Sequence, residues 1–256
     1  MITIKSKNEI ELMKRAGEVV ARVHLRMEEI IEPGITIKTL NKEASDIISK
    51  AGAIPSFLNF PSSYGGIPFP GVICASVNNE VIHGMPSERK LSEGDIISID
   101  VGAILNGYHG DAARTYPVGT ISDVAFNLIQ AAKDGFDAGM KVSVPGNRIR
   151  DISEAVQTIV ESRNFSVVRD FVGHGIGTIM HEEPQVPNFV SRERGPRLAD
   201  GMTLAIEPMV NAGTWKVEVQ EDKWTVVTAD GKWSSHHENT IAITDQGPLI
   251  LTQIWS

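Results

Sequence analysis

The stretch from Ile96 to Thr115, IISIDVGAILNGYHGDAART, predicts a β-hairpin. Its first arm is apolar and β-branched, as strands usually are, and Asn106-Gly107 can adopt the positive φ values that a tight hairpin turn requires. With this turn, Asp100 lies opposite Ala113, and Asp111 lies two residues further along on the same face. Diagonal neighbours of this kind are roughly 7–8 Å apart at the backbone, so the two carboxylates can converge on one point.

Two carboxylates that converge in a buried position repel each other and need a compensating partner. A shared proton would supply one, and so would a pair of metal ions. The alternative is that both aspartates only cap turns at the ends of strands. The hairpin by itself leaves these three interpretations open, so the rest of the sequence has to decide between them.

The composition excludes some classes of function. The chain has 256 residues and a net charge of −8, which argues against a nucleic-acid-binding surface and against a basic face for a membrane. Cys74 is the single cysteine, so no intrachain disulfide can form, which suits a reducing compartment. The first residues do not resemble a signal peptide, and no apolar run approaches the ~18 residues of a membrane-spanning helix. We therefore expect a cytoplasmic protein.

The order of elements suggests two similar halves that meet near residue 120. Ser6 and Glu9 form a capping box that begins a first helix, and a second helix is predicted over about 39–51. Further helices are predicted over 122–141 and about 150–163. The third of these four helices is expected to bury Phe126, Ile129, Ala132 and Phe136 on one face. Each helix pair precedes strands that carry acidic residues.

The second half contributes two more carboxylates and a histidine. Glu207 and Glu238 are predicted to lie within apolar strands, where an unpaired charge is costly, and glycines surround His174 in the segment 173–177. Four carboxylates with one imidazole suit a pair of divalent first-row metals better than a structural zinc site, which favours thiolates. Carboxylates can bridge two ions about 3.5–4 Å apart, an arrangement that aminopeptidases use. The alternative to a metal site is that these five residues are unrelated and only cap helices and turns.

Other residues have weaker signals. Residues 55–71 are rich in Pro, Gly and aromatic residues and form a loop, either as a binding segment or as packed surface. His83 lies where a strand becomes a turn, from which a side chain can reach a cleft. His24 falls on or near the packed face of the first helix, so we expect a structural role for it.

Seven short motifs together carry a family resemblance. They are EVIHG (80–84), DIISIDVG (95–102), GYHGD (107–111), GHGIG (173–177), HEEPQV (181–186), LAIEPM (204–209) and HENTIA (237–242). Over essentially its whole length the chain resembles the type I methionine aminopeptidases. The resemblance implies the α/β (α+β) pita-bread fold, in which two pseudo-symmetric halves form a curved antiparallel sheet flanked by helices. It also implies one catalytic metallopeptidase domain over residues 1–256.

The resemblance further implies a metal-dependent hydrolase that removes the initiator methionine from nascent proteins with a metal-bridged water. Two divalent ions, of Mn, Fe, Co or Zn, would serve as cofactors. The substrate would be the N-terminal methionine of new chains at the ribosome, the enzyme would be a cytoplasmic monomer, and neither nucleic acid nor membrane would be a partner.

Site residues follow from the same resemblance. The implied metal ligands are Asp100, Asp111, His174, Glu207 and Glu238. Glu207 is implied as the general base, His181 as the residue that stabilises the oxyanion, and His83 as a contact to the scissile nitrogen. The implied methionine pocket consists of Phe69, Cys74, His83, Met180, His181 and Trp224, with Phe57, Phe60 or Tyr64 as further candidates.

Two alternatives accompany this hypothesis. Prolidases and aminopeptidases P share the fold and use a similar ligand set, but they usually carry an extra N-terminal domain, for which this sequence has no room. A relative that binds peptides without cleaving them would be expected to lack metal ligands, whereas all five positions are present here.

Overall fold

Helix pairs alternate with groups of strands in the computed structural model, which describes residues 1–255. The helices of this described part are α1 (Lys7–Ile30), α2 (Ile37–Lys50), α3 (Asp123–Lys141) and α4 (Ile149–Ser162). The strands of the first half are β1 (Ile54–Pro55), β2 (Ile73–Val77), β3 (Glu80–Ile82), β4 (Ile96–Leu105) and β5 (Tyr108–Pro117). Those of the second half are β6 (Ser166–Val167), β7 (Gly173–Gly175), β8 (Glu182–Val186), β9 (Thr203–Ile206), β10 (Met209–Asn211), β11 (Val217–Val219), β12 (Val226–Thr228), β13 (Ser234–His236), β14 (Asn239–Thr244) and β15 (Gly247–Ile250).

Helix α1 begins at the predicted capping box. The Ser6 side chain accepts a hydrogen bond from the Glu9 backbone N–H, and the Glu9 carboxylate accepts one from the Ser6 backbone in return. The helix packs so closely on the hairpin that a Cβ on Gly110 would lie 2.7 Å from the backbone nitrogen of Gly17. Glycine is therefore required at this crossing, because any side chain would push α1 away from β5.

The predicted hairpin is present with the predicted register. Strands β4 and β5 pair antiparallel around Asn106-Gly107, with Asp100 opposite Ala113 and Gly102 opposite Asp111. On its other edge β4 pairs with β2, which places Cys74 directly opposite Asp100. The two aspartates and the cysteine therefore occupy one small region of a single sheet.

Two hydrophobic cores correspond to the two halves. In the first core, α1 and α2 pack against β2 and β4, and in the second, α3 and α4 pack against β9 and β14. The strand pairs are antiparallel and group into sheets of four, three, three and five strands. The expectation for the apolar face of α3 was wrong at Phe126, which is 60% exposed, whereas Leu128 and Phe136 are buried. Helix α3 presents its Leu128 side to the sheet, so Phe126 points to solvent.

Backbone pairing joins the halves next to the carboxylates. Glu238 N–H donates to the Ala113 carbonyl at 2.9 Å, and Asp111 N–H donates to Thr240 Oγ1 at 3.0 Å. Glu207 and Glu238 were expected to lie within strands. In the structure Glu207 follows the last residue of β9 and Glu238 precedes the first residue of β14. One reason is that Pro208 has no N–H for the ladder, and another is that Glu238 uses its own N–H on β5. Within residues 1–255, no helix combines the length and the apolar character needed to cross a membrane.

Candidate metal centre

Side chains from both halves converge on one cavity. Its volume is about 580 Å³, and its walls include all five residues implied as metal ligands: Asp100, Asp111, His174, Glu207 and Glu238. The hairpin supplies the aspartates, and the ends of β9 and β14 supply the glutamates. One ligand atom each from Asp111, His174 and Glu238 lie within 4.8 Å of one another.

His174 presents a free ring nitrogen to the carboxylates. Its Nδ1–H donates to the Gly175 carbonyl at 2.8 Å, which fixes the ring and leaves the Nε2 lone pair available. Nε2 lies 3.6 Å from Glu207 Oε1 and 3.9 Å from Asp111 Oδ2. These separations are too long for hydrogen bonds but suit donor atoms that share a metal ion.

Protein groups compensate the charge of the carboxylates only in part, with Arg114 acting on Glu238. Burial raises the pKa of Asp100 to about 7 and that of Glu207 to about 8. Burial and the neighbouring acids also raise the pKa of Asp111 and of Glu238 well above the usual range. Oδ1 of both aspartates and Oε1 of Glu238 are buried and have no hydrogen-bond partner among residues 1–255. Buried carboxylates in this state must either hold protons or be neutralised by an external cation.

The residues therefore fit a divalent metal centre. They provide oxygen donors from four carboxylates and one oriented imidazole nitrogen, which is the donor set that divalent first-row metals accept. The orphaned oxygens at the same point favour this interpretation over that of turn caps, because a cap oxygen accepts hydrogen bonds from backbone N–H groups.

The sequence interpretation missed one histidine at this centre. His236, the last residue of β13, is 2% exposed, and its Nε2 lies 3.6 Å from Glu207 Oε2. Burial lowers the pKa of His236 to about 4, so its ring is neutral near pH 7. A spacing of two residues from Glu238 was the signal that could have found it, because alternate residues of an extended segment share a face.

An apolar pocket adjoins the carboxylates. Phe69, Cys74 and Trp224 form a separate small hydrophobic cluster, in which the Phe69 and Trp224 rings meet edge to face at 5.0 Å. Trp224 Nε1–H donates to the Ile67 carbonyl at 2.9 Å, which fixes the indole. Burial, reinforced by the nearby acids, raises the pKa of the Cys74 thiol well above its usual value. Cys74 is therefore a neutral wall residue and not a thiolate nucleophile.

Two further histidines face the same cavity. His181 contacts His174 edge to face at 4.5 Å and Phe60 at 5.5 Å. His83 packs against Trp224 at 6.2 Å, and its φ of +59° is a strained value for a residue with a Cβ. Such strain is often retained at functional positions. Met180 lines the cavity as well.

The loop at 55–71 contributes to the cavity wall. Phe57, Phe60 and Tyr64 line it, as do Asp170 and Phe171, which the sequence interpretation did not single out. The loop therefore lies beside the carboxylates, and a binding role for it stays a prediction. Phe171 contacts the His83 ring at 5.9 Å, and no local sequence pattern predicts a contact between positions so far apart in the chain.

Comparison with known proteins identifies the class to which this fold and site belong. Residues 11–245 match the model of metallopeptidase family M24. A methionine aminopeptidase of Clostridium acetobutylicum is 54% identical over 253 residues, which cover 98% of this chain and 99% of that protein. The chain therefore belongs to metallopeptidase family M24 and, within it, to the methionine aminopeptidases, as the sequence motifs had predicted. Membership of this family of metallopeptidases and the cluster of potential ligands both point to the use of a divalent metal.

Solved structures agree with this assignment. The methionine aminopeptidase of Rickettsia prowazekii superposes with a TM-score of 0.94 at 37% identity, covering 98% of this chain and 100% of that one. The predicted pita-bread fold is thus confirmed. A prolidase from Pyrococcus furiosus has a TM-score of 0.77 at 20% identity, and the match covers 99% of this chain but 66% of that one. At that identity the likeness concerns the fold alone.

Proposed function

We propose that the chain removes the N-terminal methionine from peptides and newly made proteins. The observation that carries this proposal is the position of the apolar pocket beside the carboxylates. Cys74 in the pocket wall pairs across the sheet with Asp100 in the carboxylate cluster. A methionine side chain in this pocket would bring its own carbonyl to the carboxylates and histidines.

Asp100, Asp111, His174, Glu207 and Glu238 are assigned as the ligands of two divalent ions, of Mn, Fe, Co or Zn. The orphaned carboxylate oxygens and the free Nε2 of His174 support this assignment. When bound, the ions supply Lewis acidity and lower the pKa of water at the site. Backbone hydrogen bonds between the two halves of the fold hold these ligand residues in place.

Glu207 is assigned as the general base. Its carboxylate lies in the cavity between the rings of His174 and His236, where it would accept a proton from water and pass it to the departing amine. Asn188 Nδ2 donates to the Glu207 backbone carbonyl at 3.0 Å and thereby holds the residue in place beyond β9.

His181 and His83 are assigned to the substrate. His181 lies beside His174, where an N–H can donate to the carbonyl oxygen as negative charge develops on it. His83 lies on the pocket side, against Trp224, where it can contact the scissile nitrogen. Phe69, Cys74, Met180 and Trp224 provide the apolar surface that selects methionine.

Residues 1–256 would act as one catalytic domain, as a cytoplasmic monomer that meets new chains at the ribosome. Support for a monomer comes from the site itself, since Asp100 and Asp111 belong to one half of the chain and Glu207 and Glu238 to the other. The net charge of −8 supports the absence of nucleic-acid and membrane partners.

The experiment is a comparison of three peptides with metal-loaded protein: Met-Ala-Ser, Leu-Ala-Ser and Ala-Pro-Ser. We expect release of methionine from the first and little release from the other two. Cleavage of Ala-Pro-Ser alone would instead assign the Xaa-Pro specificity of prolidases, and cleavage of none would assign a peptide-binding protein. A Glu218→Gln variant serves as a control, because Glu218 is an exposed carboxylate on β11, outside the cavity lining.

A further inference from the structure

One residue at the cavity has a backbone conformation that does not suit its type. Among residues 1–255, six residues other than glycine have a positive φ, and five of them are asparagine or histidine, the types enriched in this conformation. The sixth is Lys223, with a φ of +66°. A lysine has no short polar side chain that could stabilise the turn by a local hydrogen bond. Because Lys223 also lines the cavity, its side chain is a candidate for a functional role.

The charge of Lys223 also distinguishes it from its surroundings. Seven of the described residues that line the cavity carry carboxylates, whereas Lys223 is the single lysine or arginine among them. Its side chain is exposed, and its ammonium belongs to none of the ion pairs of residues 1–255. The carboxylate of the adjacent Asp222 accepts hydrogen bonds from the backbone N–H groups of Trp224 and Thr225, both at 2.9 Å. The ammonium of Lys223 is therefore available to an external anion.

The turn that carries Lys223 is fixed against the loop at 55–71. Lys223 N–H donates to the Gln220 carbonyl, and Ser62 Oγ donates to the Lys223 carbonyl, both at 3.0 Å. A Cβ on Gly66 would lie 3.5 Å from both Cβ and Cγ of Lys223, so the lysine stem packs on the backbone of this loop. A stem held in this way leaves the charged end of the side chain in solvent.

The contacts of His83 relate Lys223 to the path of a substrate. The His83 ring contacts Trp224 at 6.2 Å and Phe171 at 5.9 Å, in both cases edge to face. Lys223 immediately precedes Trp224, Asp170 immediately precedes Phe171, and both charged residues line the cavity. A substrate chain that continues from a scissile nitrogen beside His83 therefore leaves the cavity near Lys223 and Asp170.

We propose that Lys223 is a specificity-determining residue whose ammonium binds a carboxylate on the third or fourth residue of the substrate, counted from the methionine that is removed. The inference rests on the proposed function, in which His83 contacts the scissile nitrogen. The second residue of the substrate then lies against His83 itself, and the residues after it come within reach of Lys223. An exposed ion pair contributes little free energy, so the expected effect is a preference of about 2- to 5-fold and not an absolute requirement.

The test uses two peptides with amidated ends, Met-Ala-Glu-Ser and Met-Ala-Ser-Glu, each beside its counterpart with glutamine in place of glutamate. The amide removes the terminal carboxylate, which has the same chemistry as the side chain. We measure kcat/KM for each pair and take the ratio of the glutamate to the glutamine peptide. Lys223→Gly should lower this ratio by about 2- to 5-fold for at least one pair, mainly through KM.

Two further variants separate the charge of Lys223 from other effects. Lys223→Arg retains a positive charge and should keep the ratio of the unmodified chain. Lys216→Gly removes an exposed lysine outside the cavity lining, so it is the matched control and should also keep the ratio. High ionic strength should reduce the ratio of the unmodified chain towards that of Lys223→Gly, because salt screens exposed charges.

The backbone strain at Lys223 provides a second readout. Glycine adopts a positive φ without steric cost, so Lys223→Gly should raise Tm by about 2–4 °C while it loses the preference for glutamate. A loss of preference in a more stable protein cannot result from unfolding. An unchanged ratio in Lys223→Gly would overturn the proposal, and so would an equal fall in Lys216→Gly. Release of methionine from the glutamine peptides would then still support the proposed function, whereas no release from any of the four peptides would contradict both.

Discussion

Lys5 Nζ lies 2.5 Å from Glu182 Oε2, and both side chains are almost completely buried. Thr3 Oγ1 donates to the same carboxylate oxygen. Burial on its own would raise the pKa of Glu182, but the hydrogen bonds from Lys5 and Thr3 outweigh it and lower that pKa. Because His181 immediately precedes Glu182, the N-terminal segment anchors the part of the chain that presents His181 to the cavity.

A Lys5→Met variant should therefore lower kcat while leaving the metal content unchanged. Displacing a catalytic group by about 1 Å can cost on the order of 100-fold in rate, and loss of one partner of a buried ion pair costs about 3–5 kcal/mol of stability. Steady-state kinetics and thermal unfolding measure the two effects. Lys7→Met, at the exposed beginning of α1, is the control. Unaltered kcat in Lys5→Met would show that the ion pair does not position His181.

Glu207→Gln should retain the fold and lose turnover. The substitution removes a proton acceptor that contributes typically 100- to 10,000-fold, and it weakens one ligand as well. Methionine release from Met-Ala-Ser, normalised to metal content, separates these effects. Retention of more than about a tenth of the unmodified rate would exclude Glu207 as the base.

His181→Ala and His174→Ala should differ in metal content. His181 is expected to act on the developing oxyanion, so its loss should lower kcat by roughly 100- to 1000-fold with little change in KM and with full metal content. His174→Ala should lose both metal and activity, because Nε2 of His174 is assigned as a ligand. Metal content and steady-state kinetics are measured for both variants. Metal loss in His181→Ala but not in His174→Ala would exchange the two roles. Full metal content and full turnover in both variants would contradict both assignments.

His24 should make the stability of the fold sensitive to acid. Its ring donates from Nε2 to the Ala112 carbonyl and accepts at Nδ1 from Tyr116, both at 2.9 Å, and burial lowers its pKa to about 3. Between pH 6.5 and pH 3 the histidine is protonated in the unfolded chain, where its pKa is near 6.5, but stays neutral in the folded chain. The stabilisation is thus complete above pH 6.5 and is lost as the pH falls towards 3.

At pH 4.5 this loss amounts to about 2–3 kcal/mol, since each pH unit corresponds to ~1.4 kcal/mol. Urea unfolding at pH 7.5 and 4.5 should therefore show a smaller acid-induced loss in His24→Gln than in the unmodified chain. That variant is expected to be less stable at pH 7.5, because the hydrogen bonds to Ala112 and Tyr116 are gone. Equal losses in the two proteins would assign the acid sensitivity to other groups.

Local patterns predicted the parts of this fold that depend on neighbouring residues. The Asn106-Gly107 turn fixed the register of β4 and β5, and therefore the approach of Asp100 to Asp111, because a two-residue turn permits few pairings. The capping box of Ser6 and Glu9 located the beginning of α1 for the same reason. The side of α3 that meets the sheet was harder to predict, and Phe126 was placed wrongly, because periodicity alone does not say which edge of an apolar stripe is covered.

Contacts between distant segments were not predictable from local pattern. The pairing of Glu238 with Ala113 brings the two halves together, and only the complete fold shows that it also brings His236 to Glu207. The anchoring of Glu182 by Lys5 joins residues 177 positions apart. The Lys5–Glu182 contact has no signature in spacing, and the spacing of His236 from Glu238 does not say that His236 meets Glu207, since both contacts depend on how whole sheets and helices pack.

The most direct test of the central claim, that buried carboxylates hold divalent ions on which peptide cleavage depends, is methionine release before and after metal removal. Protein should be dialysed against a chelator, analysed for metal, and assayed with Met-Ala-Ser with and without added Mn²⁺ or Co²⁺. We predict that release falls to background in the stripped protein and returns when either ion is added. Undiminished release from protein shown to contain no metal would contradict the account.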